Sequence, residues 1–236
     1  MSESKDSAAP TIGTLNEKPL HADLKRWYYR PGDRLEVPVD GYVVDLVRDG
    51  LLVEIQTCGF HPLAGKLRRL SRNHRVRLVH PLPARKTLVK LPASFGEEPV
   101  RRRSPKKTRP WEIFGELVHI PRLISVDCFS LELIMVDMEE VRRRDSRRGW
   151  RRGGWVVEER RLAEVLEVIR LESPEDLMAL LPSGLPRELT TSDISRMTPM
   201  PRRMASKAAY CLSRCGCLTR IGKRGRSYLY RRLMGH

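Results

Sequence analysis

Two β-rich runs meet at Asp49-Gly50, and that dipeptide constrains the chain more than any other stretch. It is the strongest short-range signal for a two-residue type I′ hairpin turn. The runs are Val43-Val44-Asp45-Leu46-Val47-Arg48 before it and Leu51-Leu52-Val53-Glu54-Ile55-Gln56 after it. Such a turn fixes the register by arithmetic: facing residues have numbers that add to 99, so Arg48 meets Leu51, Leu46 meets Val53 and Asp45 meets Glu54. Side chains alternate along a strand, so Asp45, Glu54 and Gln56 share one face while Leu46, Val53 and Ile55 line the other. Carboxylates directly opposite each other repel unless something positive lies between them. A divalent cation is the obvious candidate, because Mg2+ sites use one or two carboxylates and keep positions for water and phosphate. A solvated strand acid is the plainer alternative for Asp45.

The flanking sequence supplies the rest of a small layered core. A helix is expected from Pro19 to about Tyr29, with Leu20, Leu24, Trp27 and Tyr28 on one stripe. Leu35 to Val39 reads as a first strand, kept short or at an edge by Pro38. Asp40-Gly41 is a second turn signal. Thr57-Cys58-Gly59 ends the hairpin's second strand. A helix from Pro62 to Asn73 puts Leu63, Leu67 and Leu70 on one face with Lys66 beside them. Arg75 to Val79 alternates as a strand, which Pro81 and Pro83 are expected to stop.

This order of elements, with Asp45, eight residues, then Glu54-Ile55-Gln56, resembles the PD-(D/E)xK nuclease superfamily, the restriction-endonuclease-like fold. The resemblance covers residues 15–90. Gln56 stands where that motif usually has lysine, a departure some active restriction enzymes of the superfamily share. In other members a lysine of the following helix takes over, a role the resemblance gives to Lys66. It further implies that Asp45 and Glu54 hold Mg2+ or Mn2+, with the main-chain carbonyl of Ile55 completing the shell. Gln56 or Lys66 would then orient the attacking water or stabilise the charge that develops on phosphorus. Glu17, just ahead of the first helix, would assist the metal; an acid favouring the helix dipole is its other reading. The implied fold class is α/β (mixed α+β), a central sheet flanked by helices. The implied activity is phosphodiester hydrolysis on DNA, by an enzyme that would work as a monomer or a homodimer. The Gln56 departure equally suits a nuclease fold kept only for binding DNA or for regulation, and RNA processing is a third reading.

Charge narrows the partner. With 45 Lys+Arg against 29 Asp+Glu, the net charge is +16, which points to nucleic acid first and an anionic membrane surface second. No apolar run approaches the ~20 residues a membrane-spanning helix needs, and five cysteines leave one without an intrachain partner, so a reduced, cytoplasmic protein is expected. Residues 1–14 read as a flexible tail and 91–181 as a basic α/β extension. Within the extension, Arg101 to Pro110 is a basic loop suited to phosphate contact. Phe129 to Asp137 is a buried strand, and 142–161 an arginine-rich hairpin or loop with Trp150 and Trp155. Leu162 to Leu171 has helical spacing, and a short helix follows from Pro174 to Leu181. Pro182 to Pro186 reads as a linker.

The stretch 187–236 looks like a winged helix-turn-helix. Thr190-Thr191 caps a helix from Ser192 to Met197, a longer helix runs from Arg202 to Arg214, and Gly222 to Gly225 turns a two-stranded wing. The residues matching base and phosphate contacts are Arg202, Arg203, Ser206 and Lys207 on the helix, with Lys223, Arg224 and Arg226 on the wing. A packing or protein-binding module is the alternative, since fold does not fix function. Cys211, Cys215 and Cys217 lack the paired spacing of a zinc site, and the six histidines form no nucleophile–base grouping.

Overall fold

A computed structural model describes residues 18–92, 97–145, 147 and 153–233. The expected tail at 1–14 lies outside the described residues, as do Trp150 and its neighbours 146, 148, 149, 151 and 152. Helix α1 (Pro19–Tyr28) comes first, started by Pro19 in its first turn. Strands β1 (Arg34–Val39), β2 (Tyr42–Arg48) and β3 (Leu51–Ile55) follow as a meander, and α2 (Ala64–Leu70) leads into β4 (Arg75–Lys90). Both two-residue turns have left-handed backbone at both positions, Asp40 and Gly41 at φ 48° and 80°, and Asp49 and Gly50 at 47° and 76°. Those are the angles a type I′ turn requires, and they explain why Asp-Gly stands at each.

The second half builds on the same sheet. After β5 (Val100–Arg103) and α3 (Phe114–Leu117) come two long strands, β6 (Phe129–Arg144) and β7 (Trp155–Leu171). The seven-stranded sheet runs β1-β2-β3-β4-β6-β7, with β5 also on β4. β4 is parallel to both β3 and β6, and the other pairs are antiparallel. Two expectations fail here. Leu162 to Leu171 is strand, not helix: its apolar residues fit either period, and continuous antiparallel pairing with β6 decides for the strand. β4 also runs on through Pro81 and Pro83. The Val79 carbonyl accepts from the Gln56 amide and the Pro83 carbonyl from Thr108, so these odd-numbered positions point to the edge that β3 has already left. A proline costs no ladder bond there. From the expected extension at 91–181, β5, β6 and β7 lie in the same sheet as β1 to β4.

The C-terminal segment adds α4 (Pro174–Ala179), β8 (Glu188–Thr190), α5 (Thr191–Met197), α6 (Arg202–Arg214), β9 (Leu218–Arg224) and β10 (Ser227–Arg232). Thr190 caps α5 in a reciprocal box with Asp193. β8 joins the wing strands, making three, ordered β8-β10-β9. Two apolar clusters cover the two faces of the large sheet. The smaller packs Leu20, Leu24 and Tyr28 of α1 on Leu46, Val53, Ile55 and Val79. The larger runs without a break from Leu67, Leu78 and Phe114 to Ala208, Cys211 and Leu212 of α6. The stretch 182–186 lies on the surface, and Leu185 alone is buried and joins that cluster.

Candidate functional site at the parting of two strands

The β2–β3 ladder is short. It pairs Arg48 with Leu51, Val47 with Leu52 and Leu46 with Val53, as the turn arithmetic expects, and no paired residues follow. Asp45 and Glu54, expected as the next facing pair, instead stand where the strands part. Side chains bridge the opening. Asp45 Oδ2 accepts from the Ile55 amide at 2.8 Å. From the α2 side Lys66 Nζ donates to the Val43 carbonyl and to Glu54 Oε2, each at 2.6 Å. From the α1 side His21 Nε2 lies 3.3 Å from Asp45 Oδ2. Each acid thus has its own basic partner from the chain, Lys66 at Glu54 and His21 at Asp45.

The two carboxyl groups are driven apart in acidity. Burial and then the charge of Asp45 raise the Glu54 pKa above the usual glutamate range, and the Lys66 ammonium does not fully offset them. Burial alone would raise Asp45 as well. The hydrogen bond and charge of His21, the Ile55 amide and the charge of Lys25 outweigh it, so Asp45 titrates below the usual range. Two carboxyls in one opening with opposite shifts are a recurring sign of acid–base or metal chemistry.

Of the other expected residues, Gln56 is turned away: its Nε2 donates to the Gly59 carbonyl at 2.7 Å and ties down the β3–α2 loop. That leaves Lys66 as the cation beside Glu54. Glu17 lies outside the described residues. The sequence reading missed His21 and Lys25. Lys25 is 2% exposed and its Nζ sits 3.1 Å from Glu36 Oε1. Glu36 itself has left-handed backbone at φ 52°, a strained state for glutamate, in the strand beside Asp45. The available signal was a lysine and a histidine four apart, on the same helix as the Leu20–Leu24–Tyr28 stripe.

On the C-terminal segment, Arg202, Arg203 and Ser206 are exposed on α6, together with Tyr210 and Arg214. Lys207 is not on that face: it donates to the Gly115 carbonyl at 3.0 Å and docks α6 on α3. Lys223 and Arg226 are exposed on the wing, where the Arg220 guanidinium stacks 3.6 Å above the Tyr228 ring. Arg224 reaches back to Asp193 at 3.5 Å.

Among the described residues, no group of three or more His, Cys, Asp or Glu side chains forms a ready metal cage, and no helix is long and apolar enough to cross a membrane. A family profile described as a domain of unknown function (DUF8091) matches residues 18–172, which span α1 to β7 and so include the parted hairpin. An uncharacterized protein of Treponema pallidum (strain Nichols) is 31% identical over 224 residues, covering 94% of this chain and 88% of that protein. No solved structure matches the chain.

Proposed function

Taking as premise that the chain belongs to the DUF8091 family, we propose that it is a metal-dependent nuclease cutting phosphodiester bonds in DNA. One observation carries the reading: β2 and β3 separate at Asp45 and Glu54, and Lys66 of the next helix stands at Glu54 Oε2. The order α1-β1-β2-β3-α2-β4, with β4 parallel to β3, supports the likeness to the PD-(D/E)xK fold.

Two carboxylates suffice for Mg2+ or Mn2+, which bind hard oxygen ligands and keep several waters. Asp45 and Glu54 would hold the ion, with the Ile55 carbonyl as third oxygen. Bound there, it would polarise the phosphoryl oxygen and lower the pKa of a coordinated water. Asp45 is ionised and fixed by the Ile55 amide, so it is a standing ligand. Glu54 becomes available as it ionises and Lys66 shifts from its carboxylate toward the phosphate, where an ammonium stabilises developing charge. Gln56 holds the loop that lets α2 present Lys66. The exposed arginines of α6 and the wing would grip the duplex through its phosphates.

The Lys66–Glu54 pair also favours a second reading, a DNA-binding or regulatory protein that makes no cut, because it neutralises Glu54 without an ion. Incubating the protein with supercoiled, linear and single-stranded DNA, with and without Mg2+ or Mn2+, separates the two. Metal-dependent cleavage that vanishes in Asp45→Ala and Glu54→Ala is expected. If nothing is cut while both variants bind DNA as well as or better than the parent, the binding-only reading replaces the nuclease.

A further inference from the structure

The edge of β4 has a window in it. β3 pairs with that edge through Val79 and β5 takes it up again at Thr87; between them, among the described residues, only the Pro83 and Lys86 carbonyls are met, by the amides of Thr108 and Ser104. Pro81 and Pro83 stand in between, and at those two positions there is no N–H group that would otherwise need a partner. A cavity of about 320 Å3 fills the window, a volume within the range of small-ligand pockets. Its neighbour on one side is the Thr57–Gly59 loop, which directly follows Glu54-Ile55-Gln56.

One buried polar group faces this space with a free valence. His80 is 7% exposed and lines the cavity. A carbonyl can only accept, so the 2.5 Å contact with the Gln56 oxygen puts the ring proton on Nδ1. Burial lowers the His80 pKa, and the neutral ring then offers Nε2 as an acceptor, for which no partner occurs among the described residues. Glu116 stands nearby in the wall, one carboxylate oxygen accepting from the Phe60 amide at 3.1 Å. Leu82 and Met138 give the wall apolar surface. Lys86, Lys106 and Arg160 supply cations, Lys106 from an exposed pair with Glu112 of the same wall at 3.2 Å. Lys86, Arg142 and Arg160 all share the single carboxylate of Glu140, so that side of the cavity has positive charge in excess.

We propose that the window binds one nucleotide of the substrate strand, its base against Leu82 and Met138 with a donor edge on His80 and Glu116, and its phosphate at Lys86, Lys106 and Arg160. The proposal rests on the reading of the parted hairpin as a phosphodiester-cleaving site, and it adds a base preference to it. Acceptors dominate the inner wall, so bases that present donors are favoured. Guanine offers N1–H and the N2 amino group side by side to a carboxylate, whereas thymine offers only N3–H.

Isothermal titration of the full chain with dGMP and with dTMP, in EDTA so that no cleavage intrudes, tests this directly. The expected result is dGMP binding roughly tenfold or more tighter than dTMP. Glu116→Gln should remove most of that preference, and Lys106→Ala, a change at an exposed side chain, should weaken both ligands alike. Equal or absent binding of the two nucleotides, or binding untouched by both substitutions, overturns the proposal. Because the titration needs no metal and no turnover, DNA cleavage without mononucleotide binding would remove the pocket and leave the nuclease standing. The reverse pattern would remove the nuclease alone.

Discussion

The parted hairpin and the α6–wing surface both carry charge, and they hold it in opposite ways. At the hairpin the charged groups are largely buried and matched: Asp45 by His21 and the Ile55 amide, Glu54 by Lys66. On α6 and the wing, Arg202, Arg203, Lys223 and Arg226 project into solvent. In a low-dielectric opening a single charge shifts its neighbours' acidity, which is what an acid–base or metal step needs. Exposed cations are screened and shift little, but together they attract a polyanion. On the proposed reading the first region tunes chemistry and the second holds a backbone, so substitutions in them should fail differently.

Asp45→Ala and Glu54→Ala should sharpen that contrast most, abolishing metal-dependent cleavage by about 10³-fold or more while DNA binding in gel shift holds or improves. Lys66→Ala comes next. Its side chain and that of Glu54 are 12% and 11% exposed, so an uncompensated Glu54 should cost up to about 3 kcal/mol at neutral pH in denaturant unfolding. The loss should shrink in acid, where Glu54 takes a proton. pH tests the same pair from the other side. With its pKa raised, Glu54 contributes stability below its unfolded value and loses it as pH rises through the folded one. Asp45, held low, contributes above its unfolded value and loses it as pH falls through the folded one. Cleavage should therefore climb through a pH above the ordinary glutamate range and then level off. Removing Arg202 and Arg203 should instead weaken binding at all sequences and lower the salt-dependence slope by about one for each phosphate-neutralising arginine removed, with the cleavage rate of bound DNA unchanged. The smallest effect expected is Thr190→Ala, about 1 kcal/mol of thermal stability from the α5 cap.

Legibility followed the range of the signal. Asp40-Gly41, Asp49-Gly50, Pro19 and Thr190 act on their immediate neighbours, and the elements they delimit stand where those residues predict them. Leu162 to Leu171 and the run through Pro81 and Pro83 defied local reading because their state depends on a distant strand, β6 in one case and the early end of β3 in the other. At the site, the acids were visible from the turn arithmetic and Lys66 through the resemblance. His21 and Lys25 were hidden, since only the packing of α1 on the sheet brings them to Asp45. The docking of Lys207 on Gly115 is of the same kind: nothing within α6 announces that α3 lies against it.

The most direct measurement is Mn2+ binding itself, followed by electron paramagnetic resonance on the full chain beside Asp45→Asn and Glu54→Gln. A two-carboxylate site predicts saturable Mn2+ uptake by the parent, competed by Mg2+ and lost in both variants. Absence of uptake by the parent, or uptake that persists in both variants, would contradict a metal site at the parted hairpin.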